Sequence, residues 1–200
     1  MTEPLEDPAA TADRLTAAID AADVAAVLVR FAPADERTLV NRIKALAVPI
    51  QQRGVALIVA ANPAVAARAG ADGAHAVGAA AVKTAVPRLK PDRIAGAGGL
   101  RSRHDAMIAA EAGADYVMFG EPDDNGRRPS LPALMERVAW WAELFEIPCV
   151  AFAERIEEID DLCRAGADFI AIGDAIFADP RGIATAAADA NARLGTGRPA

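Results

Sequence analysis

Two cysteines are all the thiols the chain has, Cys149 inside an apolar run and Cys163 inside a helical pattern. Neither belongs to a metal-ligand or redox spacing, which excludes a disulfide framework and a thiolate metal site and fits a reducing cytoplasm. No stretch approaches the roughly 18 consecutive apolar residues of a membrane span. The opening MTEPLEDPAATAD is acidic and lacks the apolar centre of an export signal. Membrane insertion and export are therefore not expected. Basic clusters are also missing: Lys and Arg are scattered through a chain of net charge -7, which would repel phosphate backbones rather than release their counterions. That disfavours nucleic acid as the main ligand. There is no G-x-S-x-G nucleophile elbow, no H-E-x-x-H and no Walker loop.

What remains is a chain of 200 residues, 53% hydrophobic, with 51 alanines and no recognisable linker. That size suits one domain over residues 1–200, with irregular ends at 1–8 and 195–200. Short apolar runs bounded by Gly, Pro or Asp alternate with Ala-rich segments of helical spacing. The runs are Val24–Arg30, Val55–Ala60, Gly73–Val77, Arg93–Ala97, Tyr116–Gly120, Cys149–Phe152 and Phe169–Gly173. They lack polar alternation, as parallel strands covered by helices on both faces do.

Gly-Ala-Asp followed by an apolar run occurs three times, at Gly70, Gly113 and Gly166, each time at the end of a helical pattern. A glycine there suits a helix C-terminus, and the spacing of the runs suits the βα units of a barrel. The expected fold is an α/β parallel barrel of the TIM (β/α)8 type; a flavodoxin-like open sheet, normally of five strands, is the alternative. The first strand is weak or missing. An amphipathic pattern over Ala9–Ala22 precedes the first clear run, and residues 1–8 carry two prolines and three acids. Either the barrel is incomplete or that strand is encoded upstream. An open edge between the strands at Val24 and Phe169 would need residues 1–8 or a second subunit to cover it, the latter giving a homodimer.

In a barrel of this kind the site lies at the C-terminal strand ends. The residues to weigh are Arg30, Ala60–Asn62, His75, Gly96–Gly99, Gly120–Arg128, Ala153–Arg155 and Gly173–Asp174. Arg30 reads equally as a substrate contact or a surface ion pair, and His75 as a satisfied structural histidine or an acid/base group. AGAGG at Ala95–Gly99 could bring backbone close to a ligand, but without G-x-G-x-x-G spacing it fits a tight βα turn. The loop Glu121–Ser130 fits a surface loop or a lid. Of Trp140 and Trp141, one is expected to pack on the barrel and the other to face outward. Ser102 fits a helix N-cap. The acids Glu154, Glu157, Glu158, Asp160 and Asp161 read as a solvated helix start.

GADGAH at Gly70–His75, GADYVMFG at Gly113–Gly120, IPCVAF at Ile147–Phe152 and AGADFIAIGDAIF at Ala165–Phe177 follow one another in order. In that order they resemble the thiamine phosphate synthase family, TIM barrels that join a hydroxymethylpyrimidine diphosphate to a thiazole phosphate; the likeness spans about residues 12–180. Carried over by position, the family's diphosphate-holding Gln-x-Arg-x-Lys falls on Leu28, Arg30 and Ala32. Its two magnesium-binding aspartates fall on Ala61 and Ala80, and its histidine on His75. The Thr and Lys of its G-P-x-x-x-T-x-x-K loop fall on Asn125 and Arg128. Its Gly-Gly after the seventh strand falls on Ala153 and Glu154, and its Val-Ser after the eighth on Gly173 and Asp174.

The resemblance implies substrate-binding roles for Arg30, His75, Asn125, Arg128 and Asp174, no assigned catalytic residue, and a small phosphorylated or heterocyclic ligand. Magnesium is implied by family while its expected ligands are absent, and carboxylates at Glu154 and Asp174 oppose phosphate binding. The expected activity is the family's condensation on a degenerate metal and phosphate site. The alternatives are a noncatalytic binding or regulatory barrel, and a different reaction using Glu154 and Asp174 as an acid/base pair.

Overall fold

The computed structural model describes residues 1–123 and 125–196. Its eight strands are β1 Pro4–Leu5, β2 Ala26–Phe31, β3 Ala56–Val59, β4 Gly73–Val77, β5 Ile94–Gly98, β6 Tyr116–Phe119, β7 Cys149–Ala153 and β8 Phe169–Ile172. They lie in sequence order, each pair parallel. The helices are α1 Pro8–Ala21, α2 Glu36–Gln51, α3 Pro63–Ala69, α4 Ala79–Leu89, α5 Arg103–Glu111, α6 Leu131–Leu144, α7 Ile159–Arg164, α8 Asp174–Phe177 and α9 Ile183–Thr196, with a single 3-10 turn at Ile156–Glu158 before α7. This is the TIM-type barrel. None of the described helices is long and apolar enough to cross a membrane.

The weak first strand exists but is two residues long. Pro4 pairs with Arg30 and Leu5 with Phe31, and Thr2 N–H donates to the Leu28 carbonyl at 3.0 Å. On the other side the Met1 nitrogen donates to the Ile172 carbonyl of β8 at 2.6 Å. Residues 1–5 thus span the gap between β2 and β8, which corrects the expectation that 1–8 is irregular. Pro4 helped to hide this strand, although an edge strand tolerates a proline, and Pro8 opens α1 instead. The C-terminal expectation changes as well: α9 continues through Thr196, and residues 197–200 lie outside the described residues.

The three Gly-Ala-Asp repeats share one geometry. Each glycine takes positive φ at the helix end, at +78° for Gly70, +94° for Gly113 and +97° for Gly166. The following alanine N–H reaches back five residues, from Ala71 to Ala66, Ala114 to Ala109 and Ala167 to Leu162, as in a Schellman closure. The aspartate then clasps one residue of the preceding strand through both of that residue's backbone groups. The Asp72 carboxylate accepts from Leu57 N–H at 2.7 Å while Asp72 N–H donates to the Leu57 carbonyl at 2.9 Å. Asp115 does the same to Ala95, at 2.8 Å each way. Asp168 clasps Cys149 at 2.8 and 3.1 Å.

Two apolar layers result. Between sheet and helices lie Ile43, Leu46 and Ile50 of α2 and Leu134, Val138 and Trp141 of α6 among others, while Leu28, Ile58 and Met118 fill the barrel axis. Trp141 is fully buried with its Nε1 donating to the Ile147 carbonyl at 2.7 Å, and Trp140 is half-buried beneath the Arg103 guanidinium. Ser102 makes the N-cap of α5 in a capping box with Asp105.

Thr2, 2% exposed, accepts through its hydroxyl from Arg30 N–H at 3.1 Å. Thr2→Ala leaves that amide without its acceptor, and chemical denaturation should show a loss of about 1–2 kcal/mol. A change below about 0.3 kcal/mol would mean that this contact contributes little to barrel closure.

Candidate functional site

The most enclosed polar group inside the barrel is built from three strands. His75, in the middle of β4, is 6% exposed and stands with its Nδ1 2.9 Å from the Tyr116 hydroxyl of β6, the two rings stacked at 5.8 Å. To meet, they cross over β5, and β5 is bare there. A β-carbon at Gly96 would overlap the Tyr116 hydroxyl, and one at Gly98 would overlap both His75 Nε2 and the Glu121 carboxylate. Glu121, at the end of β6, accepts from Gly99 N–H. Of the Ala95–Gly99 segment, expected as a tight βα turn, Ala95–Gly98 is therefore part of β5, with Gly96 and Gly98 making room for side chains, and only Gly99 turns out of the strand at positive φ.

Burial sets the protonation of this group. It lowers the His75 pKa to about 4, so the imidazole is neutral near pH 7. Tyr116 is pushed above the ordinary phenol range, first by burial and then by the Glu121 and Asp115 charges. Glu121 is shifted upward by burial, against the opposing Gly99 hydrogen bond. A phenol held in its neutral form is the natural donor to Nδ1, which leaves the imidazole proton on Nε2, facing Gly98 and Glu121.

The other candidates stand around the rim. Arg30 is half-buried and its Nε donates to the Thr2 carbonyl at 2.8 Å, a backbone contact that neither sequence reading included. Asn125 is exposed, its N–H donating to Asp123 at 2.9 Å; Asp123 also accepts from Arg127 N–H at 2.9 Å and so organises the loop. Asp124 of that loop lies outside the described residues. Asp174 is exposed at the first turn of α8, and its charge and that of Arg30 both act on the Met1 amino group.

Arg128 has turned inward, with its side chain 10% exposed and its Nη1 donating to Glu154 at 2.9 Å and to Glu158 at 3.0 Å. Glu158 is 4% exposed, which corrects the reading of it as part of a solvated helix start. The carboxylate is buried because Arg128 and the Glu154 amide, 3.0 Å away, both bind it. The structure thus joins Arg128 to Glu154, brings the charges of Arg30 and Asp174 to bear on the Met1 amino group, and keeps His75 buried in the barrel. Three participants went unrecognised in the sequence: Tyr116, Glu121 and Glu158. The chain's single tyrosine in an apolar run was the available signal for the first. An acid directly after a strand was the signal for the second.

An eight-stranded parallel barrel with its polar side chains gathered at the C-terminal strand ends defines a TIM-type barrel. The family model described as thiamine monophosphate synthase matches residues 1–176. A thiamine-phosphate synthase of Rhodospirillum centenum is 40% identical over 199 residues, covering 96% of this chain and 94% of that protein. One from Erythrobacter litoralis is 38% identical over 141 residues, 66% of each chain. The chain belongs to the thiamine monophosphate synthase family. Among solved structures, a thiamine phosphate pyrophosphorylase from Pyrococcus furiosus superposes with a TM-score of 0.78 at 20% identity, covering 92% of this chain and 89% of that one. A 3-hexulose-6-phosphate synthase from Salmonella typhimurium gives 0.77 at 16%, covering 98% of each, so likeness at this level speaks for the fold alone.

Two outcomes test the buried group. Because the folded-state pKa of His75 lies below the free value of 6.5, acidification protonates the unfolded chain first, and stability falls as pH drops from about 6.5 to about 4. Glu121, shifted the other way, opposes this in the same window. The His75→Gln variant should therefore lose the His75 share, up to roughly 3 kcal/mol across that range, when urea unfolding is compared at several pH values. An identical pH slope in both proteins would contradict the assignment. Separately, Gly96→Ala should cost about 1–3 kcal/mol in the wild-type background and distinctly less beside Tyr116→Ala, which removes the overlapping ring.

Proposed function

We propose that the chain is a thiamine-phosphate synthase, a transferase of thiamine biosynthesis acting in the cytoplasm. It joins a hydroxymethylpyrimidine diphosphate to a thiazole phosphate: the bond between the pyrimidine's methylene carbon and the diphosphate oxygen breaks, and the acceptor heterocycle takes that carbon as diphosphate leaves with the electron pair. The observation that carries this reading is the 40% identity, across 96% of the chain, to a relative bearing that name. No observation favours the noncatalytic alternative.

In this reading Arg30 holds the diphosphate with the guanidinium nitrogens not given to Thr2. His75, neutral and fixed by Tyr116, presents Nε2 beside the pyrimidine ring. Asn125, Arg128 and Asp174 border the acceptor. Glu154 is held by Arg128, which argues against the idea of Glu154 and Asp174 as a free acid/base pair. A homodimer loses its original motive, since residues 1–5 span the edge that a partner was to cover.

The residues do not fit the family's magnesium. Ala61 follows β3 and Ala80 lies in the first turn of α4, and methyl groups offer a hard cation no oxygen. Among the described residues no three His, Cys, Asp or Glu side chains group so as to hold a metal ion. No step is routed through a metal here.

Purified protein incubated with both substrates should form thiamine phosphate, and Arg30→Ala should lower kcat/KM by about tenfold or more. Substrates that bind without turning over would sink the synthase reading. Diphosphate affinity should change less than about twofold with EDTA, whereas Ala61→Asp combined with Ala80→Asp should make it EDTA-sensitive. Tight binding by the unmodified protein that vanishes with EDTA would contradict the donor-set argument.

A further inference from the structure

Glu158 is held as a bound anion would be. Its Oε2 accepts from Arg128 Nη1 at 3.0 Å and from Glu154 N–H, in the turn after β7, also at 3.0 Å. Its Oε1 lies 3.5 Å from Arg155 Nη2. A guanidinium, a backbone amide at a strand end and a second guanidinium make up an oxyanion cradle. The cradle has donors to spare, because Nε and Nη2 of Arg128 are buried with no hydrogen-bond partner among the described residues. A buried guanidinium with two unused nitrogens is an uncompensated cost in the free protein, and the oxygens of a larger anion would relieve it.

We propose that Glu158 is an internal anion occupying the place of the acceptor's phosphate, and that it sets how weakly the chain takes a phosphate-bearing acceptor. This rests on the reading above that the acceptor is a phosphate ester. The carboxylate has one negative charge and two oxygens. A phosphate entering the cradle must therefore displace it, or else stand against both Glu158 and Glu154, two carboxylates that already balance Arg128 and Arg155. Glu154 contributes differently: its side chain is 63% exposed, so water screens it, and it shares the Arg128 Nη1 that Glu158 also takes. Occupancy of the donors by Glu158, more than the summed charge of the rim, is what excludes phosphate.

The test is a calorimetric titration of the full-length protein with inorganic phosphate. Wild type should bind only in the millimolar range or weaker, and Glu158→Gln, whose neutral amide oxygen is held less strongly by the donors and is displaced by phosphate, should bind about tenfold or more tightly. Glu154→Gln, which removes the same charge while Glu158 still holds Arg128 Nη1 and the Glu154 amide, should change affinity less than about threefold. Equal gains in both variants would replace occupancy by simple charge. No gain in a folded Glu158→Gln protein, or wild-type binding tighter than about 0.1 mM, would overturn the proposal. Should Glu158→Gln not fold, Glu158→Asp withdraws the carboxylate by one methylene, and phosphate binding no tighter than wild type in that variant overturns the proposal as well.

In turnover, Glu158→Gln should lower KM for the thiazole phosphate while leaving KM for the corresponding thiazole alcohol unchanged. A KM for the phosphate ester that does not fall, or that falls equally for the alcohol, counts against it. Absence of turnover with either acceptor would remove the synthase reading, and the phosphate titration alone would then decide the role of Glu158.

Discussion

The thrice-repeated clasp of an aspartate on the preceding strand is the constraint from which the rest of the barrel follows. A parallel strand pair has no hairpin to fix its register, and slipping by one residue would turn every side chain to the other face. At Asp72, Asp115 and Asp168 the register is instead fixed by a side chain: the carboxylate and the N–H of one residue engage the N–H and carbonyl of a single partner. The preceding glycine delivers the chain from the helix at the required angle. Helix end, strand entry and register are thereby encoded in three consecutive residues.

The consequence inside the barrel is clearest at the middle clasp. Asp115 fixes Ala95, so that Tyr116 falls opposite Gly96 in the β5–β6 register while His75 falls opposite the same glycine in the β4–β5 register. One position without a side chain then lets two rings meet across an intervening strand. Burial does the rest, holding the imidazole neutral and the carboxyl of Glu121 above its usual range. At the C-terminal end of β7 the same fold offers a strand-end amide to an anion, and the chain supplies Glu158.

The architecture was legible because parallel strands leave uninterrupted apolar runs, and Gly73–Val77 coincides with β4 to the residue. The repeat was visible too, although its aspartates read only as spacers: a side chain that bonds a strand some 20 residues upstream leaves no local periodicity. β1 escaped because two residues carry no period at all. In the site, Arg30 and His75 could be placed by their strands and Arg128 by the loop after β6, but their partners could not. Whether Arg128 faces solvent or a buried carboxylate depends on Glu158, 30 residues away, and its run of neighbouring acids looked like a helix start. Glu121 takes the proline place in the family's loop pattern, and only the bare surface of Gly98 reveals why a carboxylate fits there.

If the clasps place the interior, loosening one of them must be felt at a side chain it does not touch. The direct measurement is the His75 pKa by NMR titration in wild type and in Asp115→Ala. Wild type should titrate near 4, and the variant, with the fold retained by circular dichroism, should move toward 6.5 as Tyr116 shifts and water reaches the ring. A His75 pKa unchanged in the variant, while the Ala95 amide loses its protection from hydrogen exchange, would show that the register and the buried group are independent, and would contradict the account.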